Sequence, residues 1–239
     1  MKLAVMQPYF VPYIGYWQLL NAADQFVVYD DVNYIKRGWI NRNRILEEGK
    51  PLYFNIPIRK ASQNKRINQI EVNHDEKLKA KSLRTIELAY KKAPYFGQVY
   101  PLVEEILRSE EKVLSEYILH SLKVICKYLG IETRLLRSSD IPKDNGLKGQ
   151  DKILEICSIL GAEEYYNAIG GRDLYSFEAF RARNIRLGFI KTGDIRYRQF
   201  GNEFCENLSI LDIMMFNSVP EIREMLEQYT VITEGRGDQ

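Results

Sequence analysis

The sequence predicts an α/β fold. A mostly parallel, Rossmann-like sheet is flanked by helices, and a helical segment near residues 75–130 is inserted between its two halves. The whole of residues 1–239 reads as a single α/β domain. Three observations predict this. Apolar runs of strand length stand at Leu3–Met6 and Phe26–Tyr29, separated by just enough chain for one turn and a short helix. Two buried strands joined by a helix pair in parallel. An alternation of strand-like and helix-like segments then returns after Glu132 and continues almost to the C-terminus.

The elements follow in order. Trp17 to Ala23 is the short apolar run between the first two strands, with Gly15 and Tyr16 opening its helix. Leu52–Ile58 alternates as a strand, Lys60–Arg66 is a polar and mobile turn, and Ile67–Val72 reads as another strand. Asp75 to Ala93 is helical, with Leu78, Ser82, Ile86, Leu88 and Ala89 near one face. Asn73 or Asp75 caps it and Pro94 ends it. Tyr100–Leu107 and Val113–Leu129 are two further helices, the second an amphipathic stripe closed by Gly130. Thr133–Arg137 is a strand, Gln150–Leu160 a helix closed by Gly161, and Glu164–Ala168 a strand. Phe177–Ala182 is a short helix, Ile185–Ile190 a strand, and Tyr197–Phe200 a strand or edge loop. Ser209 caps an apolar helix running to Asn217, with Asp212 at its third position. Pro220 opens the last helix at its first position. Glu234–Gln239 is a frayed polar tail.

Composition narrows the function classes. Hydrophobic residues make up 45% and charged residues 28%, an ordinary globular balance. A net charge of +2 gives no reason to expect a nucleic-acid partner. No apolar run approaches membrane-spanning length, and no signal-peptide hydrophobic region follows Lys2, so a cytoplasmic location and no membrane insertion are expected. Cys126, Cys157 and Cys205 are scattered and odd in number, which suits reduced thiols. With only His74 and His120, neither a zinc site nor a histidine-based triad is expected. Asp30 and Asp31 remain able to recruit magnesium together with a nucleotide.

The candidate site lies in the first 45 residues. Ligands of open parallel sheets bind beyond the carboxyl ends of the strands. Gln7 to Tyr16 leaves the end of the first strand and Asp30-Asp31 the end of the second, so both segments are expected over one edge. Two prolines stiffen the loop that carries Gln7, Tyr9, Tyr13 and Tyr16. Gly15 lets a ligand approach a helix N-terminus, whose free N–H groups favour phosphate or carboxylate. The order strand, turn, Tyr13-Ile14-Gly15-Tyr16, helix resembles the start of nucleotidylyltransferases, which carry His-x-Gly-His there. Both histidines are missing, so adenylyl transfer is not supported. Adjacent residues face opposite sides of a strand, and Asp31 is taken as the one in the site. It can serve as a base, a hydroxyl acceptor or only a turn residue. Lys36 and Arg42 are candidates to hold a diphosphate, Trp39 or Tyr34 to stack on a base or sugar, and Asn41 and Asn43 to hold sugar hydroxyls or an oxyanion. An exposed basic hairpin edge explains the same run. In the second half, Asn167, Gly170, Gly171 and Arg172 follow a strand and suit close approach to a phosphate or a pantetheine arm; a simple turn explains them nearly as well.

Met6-Gln-Pro-Tyr-Phe-Val-Pro-Tyr-Ile-Gly-Tyr-Trp-Gln-Leu-Leu20 resembles the signature of the WbqC-like family. So do Lys36-Arg-Gly-Trp-Ile-Asn-Arg-Asn-Arg44, Ala89-Tyr-Lys-Lys-Ala-Pro-Tyr-Phe96 and Leu208-Ser-Ile-Leu-Asp212. The match runs in the same order over essentially the whole chain. The resemblance implies a role in bacterial surface-polysaccharide (O-antigen) biosynthesis. It also implies N-acyl transfer from acyl-CoA, as co-substrate, to a nucleotide-linked amino sugar. The resemblance carries no catalytic residues with it; from their own chemistry Asp31, Asn41 and Tyr34 are the catalytic candidates. A nucleotide-sugar binding or nucleotidyl-transfer protein on the same frame is the alternative. In the family pattern the helix before the third motif carries a Trp and a His, where this chain has Leu78 and Ser82; a change in activity or acceptor would follow if that histidine is catalytic. The third motif is expected to line the site. A homodimer is compatible with the sequence.

Overall fold

Leu3, Val5 and Val27 bury themselves on one side of a sheet, and Ala4, Phe26 and Val28 on the other. Both runs are apolar on both faces, as strands covered on two sides must be. The computed structural model describes residues 1–201 and 203–234. The strands are β1 (Lys2–Met6), β2 (Gln25–Val28), β3 (Arg42–Glu47), β4 (Lys50–Asn55), β5 (Ile58–Arg59), β6 (Glu71–Val72), β7 (Arg134–Arg137), β8 (Glu164–Ala168), β9 (Arg186–Thr192) and β10 (Tyr229–Thr233). The helices are α1 (Ile14–Asn21), α2 (Glu76–Tyr90), α3 (Phe96–Leu107), α4 (Leu114–Leu129), α5 (Gly149–Leu160), α6 (Phe177–Arg181), α7 (Ile210–Phe216) and α8 (Val219–Leu226).

Six strands form the main sheet in the order β10-β9-β8-β1-β2-β7. All its pairs are parallel except β9 with β10, and β1 is internal, aligning Val5 with Val27 of β2 and Leu3 with Tyr165 of β8. The chain winds outward from β1 through β2 to β7, returns to the far side of β1 at β8, and continues to β9 and β10. This is the mostly parallel, helix-flanked α/β sheet that the sequence predicts. The order reverses between β1 and β8, and such a switch point is where open α/β sheets hold ligands. Two small hairpins, β3–β4 and β5–β6, and helices α2 to α4 occupy the chain between β2 and β7. Helices α1, α4, α7 and α8 contribute to the core on the Ala4 side, while α5 and α6 cover the Leu3 side.

Local chemistry sets the ends. Asp75 caps α2 by accepting from the Lys77 and Leu78 N–H groups. Gly130 and Gly161 close α4 and α5 at φ of 66° and 70°, a left-handed conformation that costs glycine little. Ser218 and Glu221 form a capping box at the start of α8, with Pro220 one position inside its first residue.

Some expected elements differ. Ile67–Gln69 is a 3-10 turn and only Glu71–Val72 is strand, because the Ile67 and Asn68 N–H groups donate back to the Val32 and Asp30 carbonyls. Leu52–Ile58 divides between β4 and β5. Tyr197–Phe200 is irregular loop, held by side chains rather than a ladder, and β10 was not anticipated. The buried stripe of α2 is Leu83, Ile86 and Tyr90, leaving Leu78 and Leu88 exposed. Asp212 does not complete a capping box; its carboxylate turns inward. Of the polar tail, residues 235–239 lie outside the described residues. No helix among the described residues is long and apolar enough to cross a membrane.

Candidate functional site

The loop after β1 is pinned before it meets any ligand. The Asn43 amide donates to the Phe10 and Val11 carbonyls at 3.1 and 3.2 Å. The Ser209 hydroxyl reaches Val11 O at 2.7 Å and the Trp17 indole reaches Pro12 O at 3.0 Å. These contacts hold Val11 at φ of 38°, a region that disfavours β-branched residues. The loop thereby presents Tyr9 and Tyr13 outward. Together with Pro12, Trp39, Asn43, Arg44 and Asn207 they line a cleft of about 380 Å³. A smaller chamber of about 120 Å³ adjoins it, sharing Tyr13 and Asn207 and reaching Asp194 and Glu206 past the end of β9.

Five residues predicted for this cleft have other work. Tyr16 is 1% exposed, packs against Tyr9 and Phe26, and donates to Gln7 O at 3.1 Å. Gly15 serves packing rather than ligand approach, since a Cβ there would stand 2.5 Å from the Tyr13 ring and 2.7 Å from Thr192 Oγ1. Tyr34 is buried and donates to Asn41 Oδ1 at 2.8 Å, and Asn41 donates to Ile56 O at 3.1 Å, so both fasten the 33–41 loop to β4's end. Arg42 Nε donates to Gly38 O at 3.0 Å and its Nη2 to Arg37 O, with the guanidinium 4.6 Å from the Tyr53 ring centroid. Lys36 is exposed. The half-exposed Trp39 ring stacks on Tyr53, and Arg44 lies 5.6 Å from its centroid. Arg44 was not singled out in the sequence. Its Nη2 donates to Asn207 O at 3.0 Å, while its enclosed Nε has no acceptor among the described residues.

Asp31 belongs to a different group. Its side chain is 3% exposed, and one oxygen meets Lys143 at 2.9 Å and Lys152 at 3.2 Å. Burial pushes its carboxyl up, but Lys143, the Ser138 hydroxyl and Lys152 outweigh burial and hold it below the ordinary carboxylate range. Asp30 is equally enclosed and accepts from the Ser139 N–H and hydroxyl at 2.9 and 2.7 Å, anchoring the turn after β7. Lys152 also lies 5.4 Å from the Tyr29 ring centroid. Asn167, at the end of β8, donates to the Tyr165 hydroxyl at 2.8 Å. At Gly171 a Cβ would stand 2.7 Å from Asn167 Oδ1 and push that amide aside, whereas Gly170 faces open space. Residues 169–174 form a 3-10 turn that leaves Arg172 exposed.

The single cleft expected from the sequence is therefore two groups. Tyr29 packs with the Leu3-side core, beneath α5, and Asp31 is tied to α5 through Lys152; Tyr9, Tyr13, Tyr34 and Ile40 join the Ala4-side core. The strand pleat separates them, because consecutive residues alternate faces. Both groups flank the β1/β8 switch point. The third motif, Ala89–Phe96, does not reach the cleft. Tyr90 instead donates to the buried Asp212 at 2.7 Å, which also accepts from Tyr197 at 2.6 Å and Gln199 at 2.8 Å. That carboxylate, raised above its ordinary range by burial, fastens the 193–209 loop whose far end lines the cleft. Leu78 and Ser82 lie on α2, with Leu78 partly exposed. Among the described residues no group of three or more His, Cys, Asp and Glu side chains gathers as a metal site.

Fold and site define an α/β protein with ligand-sized polar and aromatic surfaces at the switch point of a Rossmann-ordered sheet. The WbqC-like family model matches residues 7–224, and the chain belongs to that family. It is similar to the uncharacterized protein Rv1507c of Mycobacterium tuberculosis (strain H37Rv), with 30% identity over 228 residues, covering 94% of this chain and 97% of that protein. No solved structure matches the chain.

Proposed function

We propose that the protein is an N-acyltransferase. It would move an acyl group from acyl-CoA to the amine of a nucleotide-linked amino sugar in bacterial surface-polysaccharide biosynthesis. The observation that carries this reading is the pair of groups flanking one switch point, since a transferase must bring two ligands together there. The Tyr9, Tyr13 and Trp39 cleft suits a nucleotide sugar, whose base and sugar offer faces for stacking. The open backbone at Gly170, beside Asn167 at the end of β8, suits the pantetheine arm of the donor.

In the reaction the amine nitrogen attacks the thioester carbonyl. The C–N bond forms, the C–S bond breaks, and the departing thiolate takes up the proton that nitrogen loses. The products are an amide and free CoA. Asp31 is assigned here as the anchor of Lys143 and Lys152 rather than as the base, because its ion pairs and its enclosure keep it from the amine. The test is titration with acyl-CoA and with nucleotide-linked amino sugars, separately and together. Free thiol released only when both are present supports the reading. Nucleotide-sugar binding without thiol release favours the alternative, a nucleotide-sugar binding protein on the same frame. No binding of either ligand overturns both.

A further inference from the structure

This inference rests on the reading of the cleft as the acceptor site and names the group that holds its phosphates. We propose that Arg44 is the phosphate-binding residue and that Trp39 is the stacking platform, so that the cleft takes a nucleoside diphosphate moiety. The cations of this region are not equivalent. Arg42 has spent Nε and Nη2 on the Gly38 and Arg37 carbonyls. Arg44 spends only one Nη2 hydrogen, on Asn207 O at 3.0 Å, and its Nε is enclosed and shut off from the cleft. Its Nη1 makes no protein hydrogen bond among the described residues and, unlike Nε, is not enclosed, so it is the donor that a ligand in the cleft can meet.

Phosphate suits that donor. Nη1 and the remaining Nη2 hydrogen of the guanidinium present two parallel N–H groups to two phosphate oxygens, a fork that lysine lacks. Arg44 also lies against Trp39, at 5.6 Å from its centroid, so a ligand held by the fork lies within reach of that ring. The neighbouring polar groups do not compete for an anion. Asn43 spends its amide on Phe10 and Val11 and accepts from the Arg44 N–H. The Tyr9 and Tyr13 hydroxyls make no protein hydrogen bond among the described residues, which leaves them for sugar or phosphate oxygens. A volume of about 380 Å³ lies within the usual small-molecule range of roughly 300–1,000 Å³.

The experiment is calorimetric titration of the full chain with UDP, dTDP, ADP and GDP, each beside its nucleoside. The parent is expected to bind at least one diphosphate ten-fold or more tightly than its nucleoside. Arg44→Gln is expected to erase that ratio with an unchanged melt. Trp39→Ala is expected to weaken both ligands by a similar factor. If Arg44→Gln does not fold, Arg44→Lys keeps the charge and removes the fork, and its ratio must still fall. An unchanged ratio in a folded variant overturns the assignment of Arg44 while leaving the acceptor reading standing. A parent that binds no nucleoside diphosphate overturns both. Failure of the acyl-transfer reading alone shows differently, as diphosphate binding without thiol release.

Discussion

Replacing Asp31 with Asn separates the sequence-based role of this residue from the one its surroundings impose. A general base lost from a stable scaffold lowers turnover by about 10²–10⁴ and barely changes the melt. In the structure Asp31 is instead the carboxylate shared by two ammonium groups, and the Lys143 and Lys152 side chains are only 1% and 7% exposed. Removing one partner of a buried pair costs about 3–5 kcal/mol, because the remaining charge has neither water nor a counter-ion. For a chain of 150–250 residues, each kcal/mol moves the melting temperature by about 2–4 °C, so Asp31→Asn is expected to melt about 6–20 °C lower. Adding Lys152→Met should recover part of this loss. The pH dependence has a definite sign. The folded-state pKa of Asp31 lies below its ordinary value, so its contribution is fully present above the ordinary carboxylate range near pH 4. It is lost as pH falls through the folded value. Urea and thermal melts of parent and variant at pH 7, and then at steps below about pH 4 through the folded-state value, measure both effects. A variant that melts like the parent at pH 7 refutes the ion-pair account and reopens Asp31 as a base.

Three further outcomes follow from the geometry. Asp212→Ala leaves the buried Tyr90 and Tyr197 hydroxyls without their acceptor, at about 1–3 kcal/mol each; urea melts should show a loss of at least that size, and the 193–209 segment should exchange its amides faster. Gly15→Ala forces the Tyr13 ring or Thr192 aside, costing about 1–3 kcal/mol of overpacking and weakening nucleotide binding in calorimetry more than a distant surface change does. Cys126 and Cys157 are buried and their thiols are pushed up to about 12, so a thiol reagent at pH 8 should label Cys205 first in the native chain. Mass analysis of labelled peptides that finds Cys126 or Cys157 first would contradict that order.

The frame was legible because Leu3–Met6 and Phe26–Tyr29 are apolar runs buried on both faces, and because Thr133–Arg137 and Glu164–Ala168, though more polar, alternate with helical segments of the right length. The 67–72 segment misled because its backbone donors go to the Val32 and Asp30 carbonyls, a contact between residues more than thirty positions apart that local pattern does not record. The same limit governed the site. Tyr9, Tyr13, Trp39 and Asn43 were recognisable as an aromatic and polar cluster after a strand. Arg44 was not distinguished from Lys36 and Arg42, because only the fold decides which cation has its donors spent. Asp31 and Tyr34 are three residues apart in sequence, yet Asp31 is tied to α5 through Lys152 while Tyr34 joins the Ala4-side core. The partners that tie Asp31 down, Lys143 and Lys152, come from more than a hundred residues later and carry no local signal.

The central claim is that two ligands flank one switch point, and hydrogen exchange with each ligand alone tests it most directly. A nucleotide-linked amino sugar should protect amides in residues 9–13, 39–44 and 204–208. Coenzyme A should protect 29–31 and 168–175 and leave the first set unchanged. Protection of one common set by both ligands, or of neither set by either, would contradict the account.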